Sequence, residues 1–143
     1  MATFSSFQDI KAWQKARELV NEIYAISKKP AFFRDIGLRE QIRRASVSVM
    51  STIAEGFERD GKKEFIQFLS IAKGSCGETR SLLFAALDQQ YIDENTFNNL
   101  CGLAEDIGKL IGGLMNYLKG SALAGTKYKE TANPKRGTRN PHV

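Results

Sequence analysis

The residues of this 143-residue chain that could do covalent chemistry are few and poorly placed for it. Cys76 and Cys101 stand 25 positions apart, a separation that fits no common zinc site. Each falls on an apolar helical face, so reduced, buried thiols are expected. His142, the one histidine, lies beside the end of the sequence with no acidic or thiol neighbour. No serine or cysteine therefore has a base in plausible reach. Lys73-Gly74-Ser75 ends like a phosphate-cradling loop, but it lacks the preceding glycine and sits inside a helical pattern. The inward Glu-x-x-His pairs that hold metals in helical bundles are also absent from the sequence. These exclusions predict a protein that is not an enzyme, with no catalytic residue, metal or cofactor.

What remains are cations, and their chemistry is contact with phosphate. Arg39, Arg43, Arg44, Lys62, Lys63, Lys73 and Arg80 gather in the central segment, and Lys127, Lys129, Lys135, Arg136 and Arg139 follow near the end. With no RNA-recognition aromatic motif and no zinc knuckle, binding of RNA or DNA through them would follow backbone charge more than base sequence. Glu40, Glu55, Glu58, Asp60, Glu64 and Glu78 interleave with the central set and could neutralise it by local pairing.

The net charge of +5 is not spread evenly. From residue 122 onward five cations face only Glu130, which leaves 16 basic and 15 acidic residues for the body. Strong attraction to an anionic partner would thus belong to the tail or to a locally sorted face. A hydrophobic content of 42% and a charged content of 26% are those of an ordinary soluble domain. No apolar run of about 18 residues could span a bilayer, and no signal-like start is seen, so a cytoplasmic protein without membrane contact is expected.

The elements that position these cations are helices. Leu38, Ile42, Ala45, Val49 and Ile53 recur at steps of three and four, the mark of one apolar helical face. Beside it runs a polar line, Gln41, Arg44, Ser48, Ser51 and Glu55, which reads either as a solvated or interface stripe or as a buried Arg and Glu network fixing register. Gly56 and Gly61 bracket the break before the next helix. Phe65, Phe68, Leu69, Ala72, Cys76, Thr79, Leu83, Ala86 and Leu87 then form a second stripe, interrupted by Gly74 and Gly77, for which a close helix approach or a kink is the expected cause.

Upstream, Ile10, Trp13, Ala16, Arg17, Val20, Tyr24 and Ser27 trace an amphipathic helix, with Ile23 and Ile26 beside that line, in which Trp13 is a core or interface anchor. Pro30 ends that helix, and residues 31–36 form the longest internal connection, its two phenylalanines capping the bundle core or forming a binding lip. Downstream, Asp93 is a good N-cap for a last helix with two apolar seams, one through Phe97, Leu100, Ala104, Ile107, Ile111, Leu114 and Leu118, the other through Leu103, Leu110 and Tyr117. Two seams on one helix suggest deep burial or contact with another subunit. Gly108 and Gly112, four apart, suggest close helix packing. Helices over about 7–28, 37–57, 62–90 and 94–120 with short loops make an all-α, antiparallel up-down-up-down four-helix bundle over residues 1–121. The basic segment 122–143 is too polar to repay ordering and reads as a disordered tail.

Several short runs also carry a resemblance: Gln41-Ile42-Arg43-Arg44-Ala45-Ser46, Ile53-Ala54-Glu55-Gly56-Phe57, Lys63-Glu64-Phe65, Phe68-Leu69, Ile71-Ala72-Lys73-Gly74-Ser75 and Glu78, with Asp9-Ile10-Lys11-Ala12-Trp13 near the start. In this order the sequence resembles the bacterial four-helix bundle proteins encoded in intervening sequences of large-subunit (23S) ribosomal RNA genes. Cys76-Gly77 and Thr79-Arg80 depart from that pattern, and the basic tail is particular to this chain. The resemblance implies an antiparallel bundle assembled as a ring-shaped homo-pentamer, and no assigned activity. A more distant similarity, to the accessory variability protein of diversity-generating retroelements, implies contact with nucleic acid and a protein partner. Two functions are therefore expected to compete: a non-catalytic oligomeric adaptor that binds RNA or DNA through phosphates, and a structural scaffold for another protein with no nucleic-acid role.

Overall fold

Residues 4–120 are described by a computed structural model. A single 3₁₀ turn, Phe7–Asp9, leads into α1 (Lys11–Ser27), α2 (Pro30–Arg34), α3 (Ile36–Glu58), α4 (Lys62–Asp88) and α5 (Glu94–Gly120). The four long helices close a ring in which α1 packs on α3 and α5, and α4 packs on the same two. This is the expected up-down-up-down bundle. The five-residue α2 lies across one end, against α1 and α3. The tail expected from residue 122 lies outside the described residues, as do Met1 to Thr3.

The apolar stripes meet on the bundle axis. Ile42, Val49 and Ile53 of α3, Phe65, Leu69 and Leu83 of α4, and Ala104, Ile107, Ile111 and Leu118 of α5 are fully buried. The first helix buries Trp13, Ala16, Ile26 and Ser27 as expected, as is Ile10 at its N-cap, but its inward face is turned part of the way from Arg17 and Tyr24 toward Leu19. Leu19 and Ile23 are fully buried, whereas Arg17 and Tyr24 are exposed. Trp13, at 8% exposure, is a core residue with its ring edge-on to Phe7 at 5.1 Å between centroids.

The segment 31–36 is not the long connection its sequence suggests. Pro30 ends α1 but also opens α2 at a first-turn position, where its missing N–H costs nothing. Only Asp35 separates α2 from α3, and its carboxylate accepts from Leu38 N at 3.1 Å as the N-cap. The other carboxylate oxygen accepts the Tyr91 hydroxyl at 2.9 Å, and Tyr91 stacks on the buried Phe32 at 5.1 Å. One acid thus ties the α2–α3 junction to the α4–α5 turn. That turn closes with Gln90 in the left-handed region, φ 64°, and Tyr91 N donating to Ala86 O at 2.9 Å.

Glycine is used differently from expectation. Gly56 does not stop α3, which continues to Glu58. It is buried, and a Cβ placed there would stand 2.5 Å from Phe68 Cβ. The close helix approach is here, between α3 and α4. A Cβ at Gly74, Gly77, Gly102 or Gly108 would meet nothing within 4 Å, so those glycines permit no close contact within this bundle.

Gly56→Ala should lower stability on the order of 1 kcal/mol, since overpacking of about 1–3 kcal/mol exceeds the roughly 1 kcal/mol that Ala gains over Gly in a helix. Gly102→Ala should raise stability by about 0.5–1 kcal/mol. Urea unfolding of the two variants checks both signs. A pH effect is also expected. Asp9 is held below its ordinary 3.8 by the N–H of Ser5, then by the hydroxyl of Ser5 and the N–H of Ser6. Asp93 is held below 3.8 chiefly by the N–H of Thr96. Both are lowered in the fold, so their stabilisation is full above 3.8 and is lost as pH falls through the lowered values. Asp9→Asn with Asp93→Asn, whose amide oxygens still accept, should flatten the acid limb of a melting-temperature profile while changing little at neutral pH.

Candidate nucleic-acid interface

The central cations are divided among three places. Arg39 and Arg43, one turn apart on α3, turn toward α1 and α2. Arg39 Nη1 donates to Phe33 O at 2.8 Å, its Nη2 reaches Glu40 at 3.2 Å, and its guanidinium lies 4.2 Å from the Phe33 ring centroid. Its side chain is only 15% exposed. Arg43 Nε donates to Ser27 Oγ at 2.8 Å, and its guanidinium lies 4.3 Å from the Tyr24 ring and 5.9 Å from Phe33. The buried Ser27 hydroxyl, in turn, donates to Ile23 O at 2.7 Å. Tyr24, Arg43, Phe33 and Arg39 therefore alternate aromatic and cation across the α1–α2–α3 corner. One nitrogen on each arginine, Arg39 Nε and Arg43 Nη2, is enclosed with no hydrogen-bond acceptor among the described residues.

Arg44 points the other way, into a groove of about 470 Å³ between α3 and α4 that it shares with Glu40, Gln41, Ser48 and Glu78. The polar line of α3 is thus mainly a surface stripe: Arg44, Ser51 and Glu55 are exposed, while Ser48 bridges to Ser75 of α4 at 3.1 Å. No buried Arg and Glu network forms from it. Arg44 has acids on two sides, so its charge is partly answered in place.

Lys62 and Lys63 lie at the opposite end of the bundle, where Arg59 reaches Glu55 at 3.3 Å and Glu64 at 3.6 Å. Arg80 faces α5 and pairs with Glu105 at 3.5 Å. Lys73 lies beside Gly112, its Nζ 4.0 Å from where a Cβ would be. The seven central cations do not form one patch. Lys127, Lys129, Lys135, Arg136 and Arg139 lie outside the described residues.

Two groups of cations escaped the sequence reading. Lys28, Lys29 and Arg34, all exposed, flank the aromatic corner. With Arg39, Arg43 and Arg44 they give six cations against Asp35 and Glu40 between residues 24 and 44, in a body with a net charge of only +1. A charge count in short windows finds this excess. Lys11, Lys15 and Lys109 line a groove of about 440 Å³ between α1 and α5 with Asp106 as the acid among them. No sequence window joins α1 to α5.

The thiols are held in the neutral form. Burial pushes Cys76 up to about 11, against the opposing pull of Arg80 and Lys73, and raises Cys101 as well. Among the described residues no group of three His, Cys, Asp or Glu side chains could hold a metal ion. Among them, too, no helix is long and apolar enough to cross a membrane.

No curated protein matches the chain significantly. Among solved structures it is similar to a protein of unknown function from the S23 ribosomal protein family of Bacteroides thetaiotaomicron VPI-5482, with a TM-score of 0.68 at 22% identity over 73% of this chain and 97% of that one. At that identity the likeness is one of fold. The profile of the 23S rRNA-intervening sequence proteins matches residues 8–113, nearly the whole bundle, and the chain belongs to that family.

Proposed function

We propose that the protein is a non-catalytic, homo-oligomeric adaptor of the cytoplasm, assembled as a pentamer, that binds RNA or DNA through backbone phosphates. The observation that supports this most is the sorting of charge: six cations against two acids between residues 24 and 44. Asp35 accepts from Leu38 and Tyr91, and Glu40 meets Arg39. Asp93 also acts on Lys29 and Glu78 shares the groove of Arg44, and the six cations still outnumber these four acids. Repetition around a ring would turn a weak patch into an avid one. Pentamer formation rests on the family resemblance. A self-association surface is supported by Ile71 and Phe84 of α4, 57% and 55% exposed, and by the open space beside Gly74 and Gly77.

The same apolar side chains favour the competing role, a scaffold for another protein with nucleic acid irrelevant. Salt separates the two. Phosphate binding weakens steeply with salt, with a log-log slope of about 0.9 per phosphate neutralised on duplex DNA, and apolar docking does not. Fluorescence anisotropy with labelled RNA and DNA at low and physiological salt should show salt-sensitive binding by the full chain. That binding should persist when Lys127, Lys129, Lys135, Arg136 and Arg139 are replaced by Gln. Complete loss in the tail variant would assign the attraction to the tail, and no binding by either would leave the scaffold. Light scattering should report a pentamer, and Ile71→Lys with Phe84→Lys should shift it toward the monomer.

A further inference from the structure

We infer that the α1–α2–α3 corner is a platform for single-stranded nucleic acid, on which unpaired bases stack against Tyr24 and Phe33 while the surrounding cations hold the phosphates. The inference rests on the phosphate-binding function proposed above and specifies the strand and the contact. Five large apolar side chains stay exposed among the described residues, and three of them, Tyr24 at 36%, Phe33 at 45% and Ile36 at 62%, lie at this corner. Their neighbour in sequence, Phe32, is fully buried, so the chain has turned one phenylalanine inward and left the next outside.

Each exposed ring is held from one side by a guanidinium. Arg39 lies 4.2 Å from the Phe33 centroid and Arg43 lies 4.3 Å from that of Tyr24. The arginines are themselves anchored, Arg39 to the Phe33 carbonyl and Arg43 to the Ser27 hydroxyl. The rings are therefore pre-positioned, and ordering them on binding costs little. A cation behind a ring and further exposed cations nearby in the chain, Lys28, Lys29 and Arg34, make the combination of π-face and positive charge that suits a base with its phosphate. A duplex does not fit this platform, because its base faces are covered by their neighbours in the stack. An unpaired strand fits, and without base-edge donors directed at it the site should tolerate any base.

The test compares a short labelled oligouridine with a duplex of the same length on the full chain, before and after Tyr24→Leu with Phe33→Leu. Leucine keeps apolar bulk over the guanidiniums but offers no stacking face, and thermal melting checks that the variant is folded. We expect the single strand to bind more tightly than the duplex. The double substitution should weaken the single strand by about tenfold or more while leaving the duplex and the salt slope unchanged. As a second measurement on the unaltered chain, photocrosslinking of 4-thiouridine RNA should map to Tyr24 or Phe33. If salt-sensitive binding persists but the substitution weakens both probes equally or neither, and the crosslinks lie elsewhere, the platform is overturned while phosphate binding stands. If neither probe binds at low salt, both fail.

Discussion

The distance between α3 and α4 is set by a missing side chain. At Gly56 the backbone of α3 lies so near Phe68 that a Cβ would stand 2.5 Å from the Cβ of that residue, an atom that cannot move without its helix. The contact comes in the last turn of α3, just before the Arg59-Asp60-Gly61 break, so it fixes how the hairpin closes. Farther along the same pair, Ser48 and Ser75 meet at 3.1 Å, a small-residue contact that keeps the helices close on this face. With α3 and α4 held, Phe57 and Phe65 meet edge-on at 6.0 Å and the remaining two helices close the ring over a continuous core.

The far end of the bundle is closed by different means. Phe32, Tyr91 and Asp35 join α2 to the α4–α5 turn by one stack and one hydrogen bond, which seals the core where the helices diverge from short loops. Beside that seal the chain places arginines over aromatic rings rather than against carboxylates. A guanidinium on a ring keeps its charge uncompensated, whereas one in an ion pair does not. Arg59 and Arg80 are of the second kind, paired with Glu55, Glu64 and Glu105. Arg43 is of the first kind, and Arg39 partly so. Between residues 24 and 44 cations outnumber acids six to two, whereas Arg59 and Arg80 farther along the hairpin are matched with acids.

Helical periodicity made the bundle legible. The stripes of α3, α4 and α5 are local patterns with a period near 3.6, and most of the residues they pick out, from Ile42 to Leu118, are buried, with Phe68, Leu87, Phe97, Leu103 and Leu110 only partly so. The cap at Asp93 was legible for the same reason, since its partner Thr96 is three residues away. Where two patterns competed, local information was not enough. In α1 the line through Arg17 and Tyr24 and the line through Leu19 and Ile23 lie side by side, and only the position of α3 and α5 decides which faces inward. The role of Pro30 was equally ambiguous, because the same restricted φ that stops one helix is ready-made to start another.

The amino-acid sequence by itself determined the four long helices, the order of the bundle and the family, because all three rest on spacing along one chain. Only the tertiary structure decided which glycine permits contact and which arginines turn to rings rather than to acids. Gly56 and Gly74 are alike in sequence, and they differ in having Phe68 or open space opposite them. Arg39, Arg43 and Arg44 lie within six residues, yet two turn to rings on α1 and α2 and one to the acids of the α3–α4 groove. A side chain's partner is set by the neighbouring helix, and that neighbour is fixed only when the apolar faces have packed.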